Sequence, residues 1–188
     1  MKYLLGKKLG MTTIYDAQKG ALNVTLLSCE ENTVTLVRDT KKDGYQAVQL
    51  EVPVKKNVLR KEFRMKEENA VLPEVGTKVN VDVFEIGDVV SVSGTMKAKG
   101  FQGVVKRHGF KGSPRTHGRK HDWRAPGSIG ASFPEHVFKG KKMGGRMGGT
   151  RSTMTGLDVV YVDTEKSMLG VRGAVPGKIG TIVEIRTK

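Results

Sequence analysis

Cysteine is nearly absent from this sequence: Cys29 stands alone among 188 residues. No intramolecular disulfide can form, and a reducing compartment is expected. Its apolar neighbours Leu26 and Leu27 mark Cys29 as a buried, inert thiol rather than a nucleophile. Long apolar runs are missing as well. None approaches the roughly 20 residues that span a bilayer, and no basic amphipathic helix stands out. The opening Met1-Lys2-Tyr3-Leu4-Leu5-Gly6-Lys7-Lys8 is broken by lysines before a signal-peptide core forms. A soluble, intracellular protein without a membrane partner is expected.

The motifs of catalysis are missing too. Neither G-x-G-x-x-G nor G-x-x-x-x-G-K-[ST] occurs, which leaves nucleotide hydrolysis unsupported. Gly127-Ser128-Ile129-Gly130 has the wrong spacing for a nucleophile elbow, and Ser128 reads as a turn residue after Pro126-Gly127. His117 and His121 have a spacing found in zinc sites, but no cysteine pair accompanies them. No catalytic residue, metal or cofactor is therefore expected.

Acidic residues are scarce in one place only. Lysine and arginine number 33 against 19 acids, a formal net charge of +14. Residues 1–95 carry 14 basic and 13 acidic side chains, and residues 152–188 carry 5 and 4. The segment Met96 to Arg151 holds the other 14 basic residues against only Asp122 and Glu135, and so supplies +12 of the excess. It also holds 12 glycines, all four histidines and the only tryptophan. Too few apolar side chains are present to offset the entropy of ordering this backbone, and its charges repel one another unless a polyanion neutralises them.

The flanks read as strands. Leu22 to Leu27, Thr33 to Val37, Tyr45 to Val52, Val79 to Glu85 and Asp88 to Val92 are short β-prone runs, with turn-like pairs at Asp43-Gly44 and Gly87-Asp88. Leu157 to Asp163, Met168 to Val171 and Thr181 to Ile185 continue the pattern. Asn57 to Asn69 is expected as a short helix, and Lys99 to Arg107 as another. The resulting expectation is a mainly β protein. Residues 1–95 and 152–188 would form an antiparallel barrel with a short helical insertion near 57–69, and 96–151 a basic, glycine-rich extension inserted in it.

Cations spaced every few residues on an extended chain can each meet a phosphate and release condensed counterions. The candidates are Lys97, Lys99, Lys106, Arg107, Lys111, Arg115, Arg119, Lys120, Arg124, Lys139, Lys141, Lys142, Arg146 and Arg151. His108, His117, His121 and Ser128 join them as hydrogen-bonding groups for phosphate or ribose. Trp123, between Asp122 and Arg124, suits two roles: stacking on an unpaired base, or packing against the barrel or a neighbouring protein.

The blocks LLGKKLGMT, DGYQAVQLEV, VSGTMKAKGFQGVVKRHGF, THGRKHDWRAPGSIGA, VFKGKKMGGRMGG and LDVVYVDTEKSMLGVRGAVPGKIG follow one another along nearly the whole chain. Together they resemble, in order, the motifs of the bacterial large-subunit ribosomal protein L-three family. The resemblance implies a translation-protein-type β-barrel with an extension that penetrates RNA. It implies a non-enzymatic structural constituent of the cytoplasmic large ribosomal subunit, bound directly to 23S-type rRNA near its 3′ end and active in early assembly. Partners would be large-subunit rRNA and neighbouring ribosomal proteins, with no homo-oligomer. The extension's tip, Trp123 to Phe133, would lie nearest the peptidyl transferase region and support it.

The chain departs from the family in three ways. Ala98 stands where glycine is usual, and Ala131-Ser132-Phe133 replaces a loop that carries a methylated glutamine in some members. The region between Pro53 and Pro73 is short, and the sequence stops at Lys188 without a lysine-rich tail. Fewer peripheral contacts are expected. The rival readings are an RNA chaperone or ribosome assembly factor, a DNA-binding architectural protein, and an RNA-modifying enzyme.

Overall fold

The computed structural model describes residues 2–54, 57–65 and 72–187. In chain order, β1 (Tyr3–Asp16), β2 (Gly20–Ser28) and β3 (Asn32–Arg38) lead to a single helical turn, α1 (Thr40–Asp43), which Gly44 ends at φ 76°. Next come β4 (Ala47–Val54), β5 (Asn57–Arg64), β6 (Lys78–Val79), a 3-10 turn over Val81–Val83, and β7 (Val89–Thr95). The basic segment contains β8 (Phe101–Gln102), α2 (Val104–His108) and β9 (Gly145–Arg146). The chain ends with β10 (Arg151–Asp163), β11 (Met168–Arg172) and β12 (Ile182–Thr187).

The structure divides into two compact units, one formed by 1–96 with 151–188 and the other by 97–150. In the first, six antiparallel strands close on themselves in the order β1-β12-β7-β10-β11-β2. Closure removes free strand edges and requires both flanks of the chain, because β1 pairs with β12 from Tyr3↔Arg186 to Lys7↔Ile182. Four further strands form a second sheet in the order β5-β4-β3-β6.

Strand periodicity explains the packing. Along β1, Leu4 enters the barrel core with Leu27, Val90, Val92, Leu169, Val171, Val183 and Ile185. Its neighbours Tyr3 and Leu5 point the other way and pack with Val34, Val48, Leu50, Val52 and Phe63 of the second sheet. Tyr3 stacks on Phe63 at 5.2 Å. Fully buried Asn32 ties the two sheets: its Oδ1 accepts from the Leu5 N–H at 3.1 Å, and its Nδ2 donates to the carbonyls of Leu5 at 3.1 Å and Glu30 at 2.8 Å. A buried amide so satisfied costs little and fixes register.

The mainly β, antiparallel expectation holds, with corrections. β1, the longest strand, is not among the expected runs, because Gly6, Gly10 and two lysines hide its alternation. Gly6 is required by packing, since a Cβ there would lie 2.7 Å from the Cys29 Sγ. The helix expected from Asn57 is strand β5 over Asn57–Arg64, and 66–69 lie outside the described residues. Cross-strand pairing overrides helix propensity there: Leu59 faces Val52, Arg60 faces Glu51 with an ion pair at 2.6 Å, and Phe63 is buried. The strand expected over Val79 to Glu85 shrinks to β6 and the 3-10 turn, whose Val81, with Phe84 just after it, joins the barrel core. The helix expected over Lys99 to Arg107 starts only at Val104, after β8 and Gly103. Residues 32–79 supply the second sheet, not barrel strands.

Candidate nucleic-acid interface

Within the unit 97–150 the order is local and mostly main-chain. β8 and β9 pair as Phe101↔Arg146 and Gln102↔Gly145. The ladder continues through the Lys99 N–H to the Met147 carbonyl and the Met147 N–H to the Gly100 carbonyl, both at 2.9 Å. Gly148, at φ 72°, lies so close to the Lys97 carbonyl that no side chain fits. After β8, α2 makes one short turn, buries Val104 and is ended by Gly109 at φ 73°.

Two of the candidate RNA ligands are already engaged in this base. The Arg107 guanidinium donates to the Met143 carbonyl at 2.8 Å, and the His108 Nε2 lies 3.0 Å from the same oxygen. Both are half-buried and hold the two arms of the segment together, although one edge of Arg107 remains able to donate elsewhere.

Beyond α2 the chain forms a loop closed at its neck. The Ser113 N–H donates to the Trp123 carbonyl at 3.0 Å, and Gly112 packs against the same carbonyl at φ 75°. Arg119 bonds the Ser113 hydroxyl and lies 3.5 Å from Asp122, so one of the two acids of this segment serves an internal tie. Arg115 lies over the Trp123 ring, its guanidinium carbon 3.9 Å from the centroid, and Arg124 lies over the same ring at 5.5 Å. Such contacts are worth about 0.5–1 kcal/mol each at an exposed site. Within its own unit Trp123 is half-buried beneath arginines of its own loop.

The other cations are displayed. Lys97, Lys99, Lys106, Lys111, Lys120, Lys139, Lys141, Lys142 and Arg146 are exposed, as are His117 and His121. Ser128 uses its hydroxyl to cap the Gly130 carbonyl at 3.0 Å. Arg151 belongs to the barrel unit, where it pairs with the Glu184 carboxylate, itself 3.6 Å from Lys61. That guanidinium is committed to a protein carboxylate and is the weakest of the candidates. No three of His, Cys, Asp and Glu gather as a metal site among the described residues.

Sequence reasoning missed three aromatics. Phe101, Phe133 and Phe138 are 79%, 82% and 63% exposed, flat apolar faces within the basic segment. Their signal was present: each sits in a glycine-, proline- or lysine-rich stretch with no apolar periodicity to bury it. Phe101 and Phe138, which have lysines close by in the sequence, suit unpaired bases, each stack being worth about 1–3 kcal/mol.

Residues 19–171 match the family described as ribosomal protein L3. The chain is 45% identical to the large ribosomal subunit protein uL3 of Renibacterium salmoninarum, covering 100% of this chain and 93% of that protein. It is 44% identical to uL3 of an Arthrobacter species, covering 100% and 95%. Against uL3 of Thioalkalivibrio sulfidiphilus the identity is 41%, covering 97% and 95%. With a family match across most of its length and relatives this similar from end to end, the chain belongs to the ribosomal protein L3 family.

Proposed function

We propose that the unit 97–150 binds large-subunit rRNA directly and that the barrel unit serves as its folded platform. As a member of its family the protein is a structural constituent of the large ribosomal subunit and not an enzyme. The finer reading places its contacts near the 3′ end of 23S-type rRNA. It assigns the protein an early role in subunit assembly and gives the segment Trp123 to Phe133 the task of supporting the peptidyl transferase region. Neighbouring ribosomal proteins are its other partners, on the cytoplasmic ribosome.

The observation that carries this reading is the segregation of charge and apolar burial. The segment Met96 to Arg151 supplies +12 of the net +14, yet Val104 is the one buried apolar side chain in 97–150. A segment so built gains little by collapsing on itself and much by neutralisation against phosphates.

The test is retention. Large subunits from the source cells are separated on a sucrose gradient, washed in high salt, and the chain quantified by mass spectrometry. An integral constituent stays at one copy per subunit. A chain that washes off, or is substoichiometric, is an assembly factor or RNA chaperone, since a cation held only by surface charge is released as screening rises.

A further inference from the structure

We propose that Trp123 is a positioning residue that holds the guanidinium groups of Arg115 and Arg124 together as a two-pronged receptor for RNA phosphodiester oxygens, instead of stacking on a base itself. The proposal rests on the RNA-binding reading above and assigns the chemistry of one part of it.

Three observations carry it. The first is the stack: at 3.9 Å from the centroid, the Arg115 guanidinium is in van der Waals contact with the ring. At that distance an edge-on guanidinium would drive a nitrogen into the ring, so the approach open to it is face-on, which leaves N–H edges for an anion. Arg124, at 5.5 Å, shares the ring. The second is uncompensated charge. Two groups that close to one centroid lie within about 10 Å of each other, the screening length at 0.1 M salt, and therefore repel. Neither forms an ion pair within the unit among the described residues, and the nearby Asp122 is engaged by Arg119. The third is a fixed mount. The Ser113 N–H holds the Trp123 carbonyl at 3.0 Å, the Ala125 N–H holds the Asp122 carbonyl at 3.0 Å, and Gly112 closes against Trp123. The backbone that aims the indole is set before any ligand arrives.

A mounted indole with two guanidiniums against it and no carboxylate to neutralise them is a site waiting for an anion. A base that stacked on the face Arg115 covers would have to displace that guanidinium.

Trp123 is the only tryptophan, so its emission reports this site alone. The full chain and its Trp123→Leu, Trp123→Phe, Arg115→Leu and Arg115→Lys variants, with the double variant Trp123→Leu/Arg115→Leu, are titrated with large-subunit rRNA. The urea midpoint of the barrel is followed in each. Trp123→Leu and Arg115→Leu are each expected to weaken binding roughly tenfold. The double variant should be no weaker than the worse single one. Arg115→Lys, which keeps the charge but loses the planar fork, should fall with Trp123→Leu, while Trp123→Phe retains most of the affinity. Emission of the wild-type chain should change little on binding. If the two single losses multiply in the double variant, or if RNA strongly quenches the emission, Trp123 acts on a base independently of Arg115 and the proposal is overturned. Unchanged affinity in the double variant likewise overturns the proposal, whereas failure of the RNA-binding reading looks different: the wild-type chain then shows no preference for large-subunit rRNA over an unrelated RNA of equal length.

Discussion

In the unit formed by 1–96 and 151–188, Leu4, Leu27, Leu50, Leu169 and Ile185 are fully buried, and acids answer bases almost one for one. In the unit 97–150, one apolar side chain is buried and two acids face the cations. The barrel orders its chain by removing apolar surface from water, at roughly 25 cal/mol per Å². The basic unit orders its chain by main-chain ties at glycines: Gly112 against Trp123, Gly148 against Lys97, Gly109 ending α2. The first device works in water alone. The second positions charge but leaves it unneutralised, which is why the partner proposed for it is a polyanion.

The largest expected effect lies in the barrel unit. Leu50→Ala removes a fully buried side chain from between the two sheets and should cost about 2–5 kcal/mol in urea unfolding, with RNA affinity changed only through the loss of folded protein. Gly148→Ala attacks the other device. A methyl group at φ 72° costs about 1–2 kcal/mol by itself and collides with the Lys97 carbonyl. The amides of Lys99 and Met147 should then lose hydrogen-exchange protection while the barrel's midpoint stays put. Replacing Lys139, Lys141 and Lys142 by glutamine should leave stability within about 0.5 kcal/mol. The same change should flatten the salt dependence of rRNA binding, by roughly 0.7 in log–log slope for each phosphate that is no longer neutralised.

The smallest effect concerns acid. Asp88 is held below the ordinary aspartate range, first by the Glu85 N–H and then by Lys2, and Asp163 likewise by the Lys166 N–H and Tyr161. A depressed folded pKa gives stability that is present above the unfolded value near 3.9 and lost as pH falls through the folded value. The barrel's urea midpoint should therefore drop below about pH 4, and Asp88→Asn should shrink the drop. A control comes from Cys29, whose thiol burial pushes up to about 12. Alkylation at neutral pH should proceed only as the barrel opens, at the rate of its unfolding.

Much of this contrast was legible in the sequence, because charge segregation and short β-prone runs are local properties. Leu22 to Leu27 became β2 because its alternation shows locally, and Met168 to Val171 became β11 as a short apolar run. β1 was not legible, because both of its faces are buried near Tyr3 to Leu5 and a continuous apolar run between lysines carries no period. β5 was not legible either, since its own residues carry no alternation and its strand state rests on partners outside its span, Val52 and Glu51 of β4 and the distant Tyr3. Among the candidate ligands, spacing could not foresee that Arg151 would pair with Glu184, or that Arg115 would cover Trp123, since both contacts depend on how the chain returns. The exposed Phe101, Phe133 and Phe138 could have been found by asking which aromatics lacked an apolar partner.

The division of labour between the units is tested most directly by removing one of them. Thr95 and Arg151 face each other across β7 and β10, so a short glycine-containing turn can join the strands in place of 97–150. Shortening a loop also lowers its closure entropy, by about 0.6 kcal/mol per halving. The expected result is a barrel that unfolds cooperatively at a midpoint equal to or above that of the full chain, with its specific affinity for large-subunit rRNA gone. An unfolded deletion variant, or a folded one that keeps the full chain's affinity, would contradict the assignment of stability to one unit and RNA binding to the other.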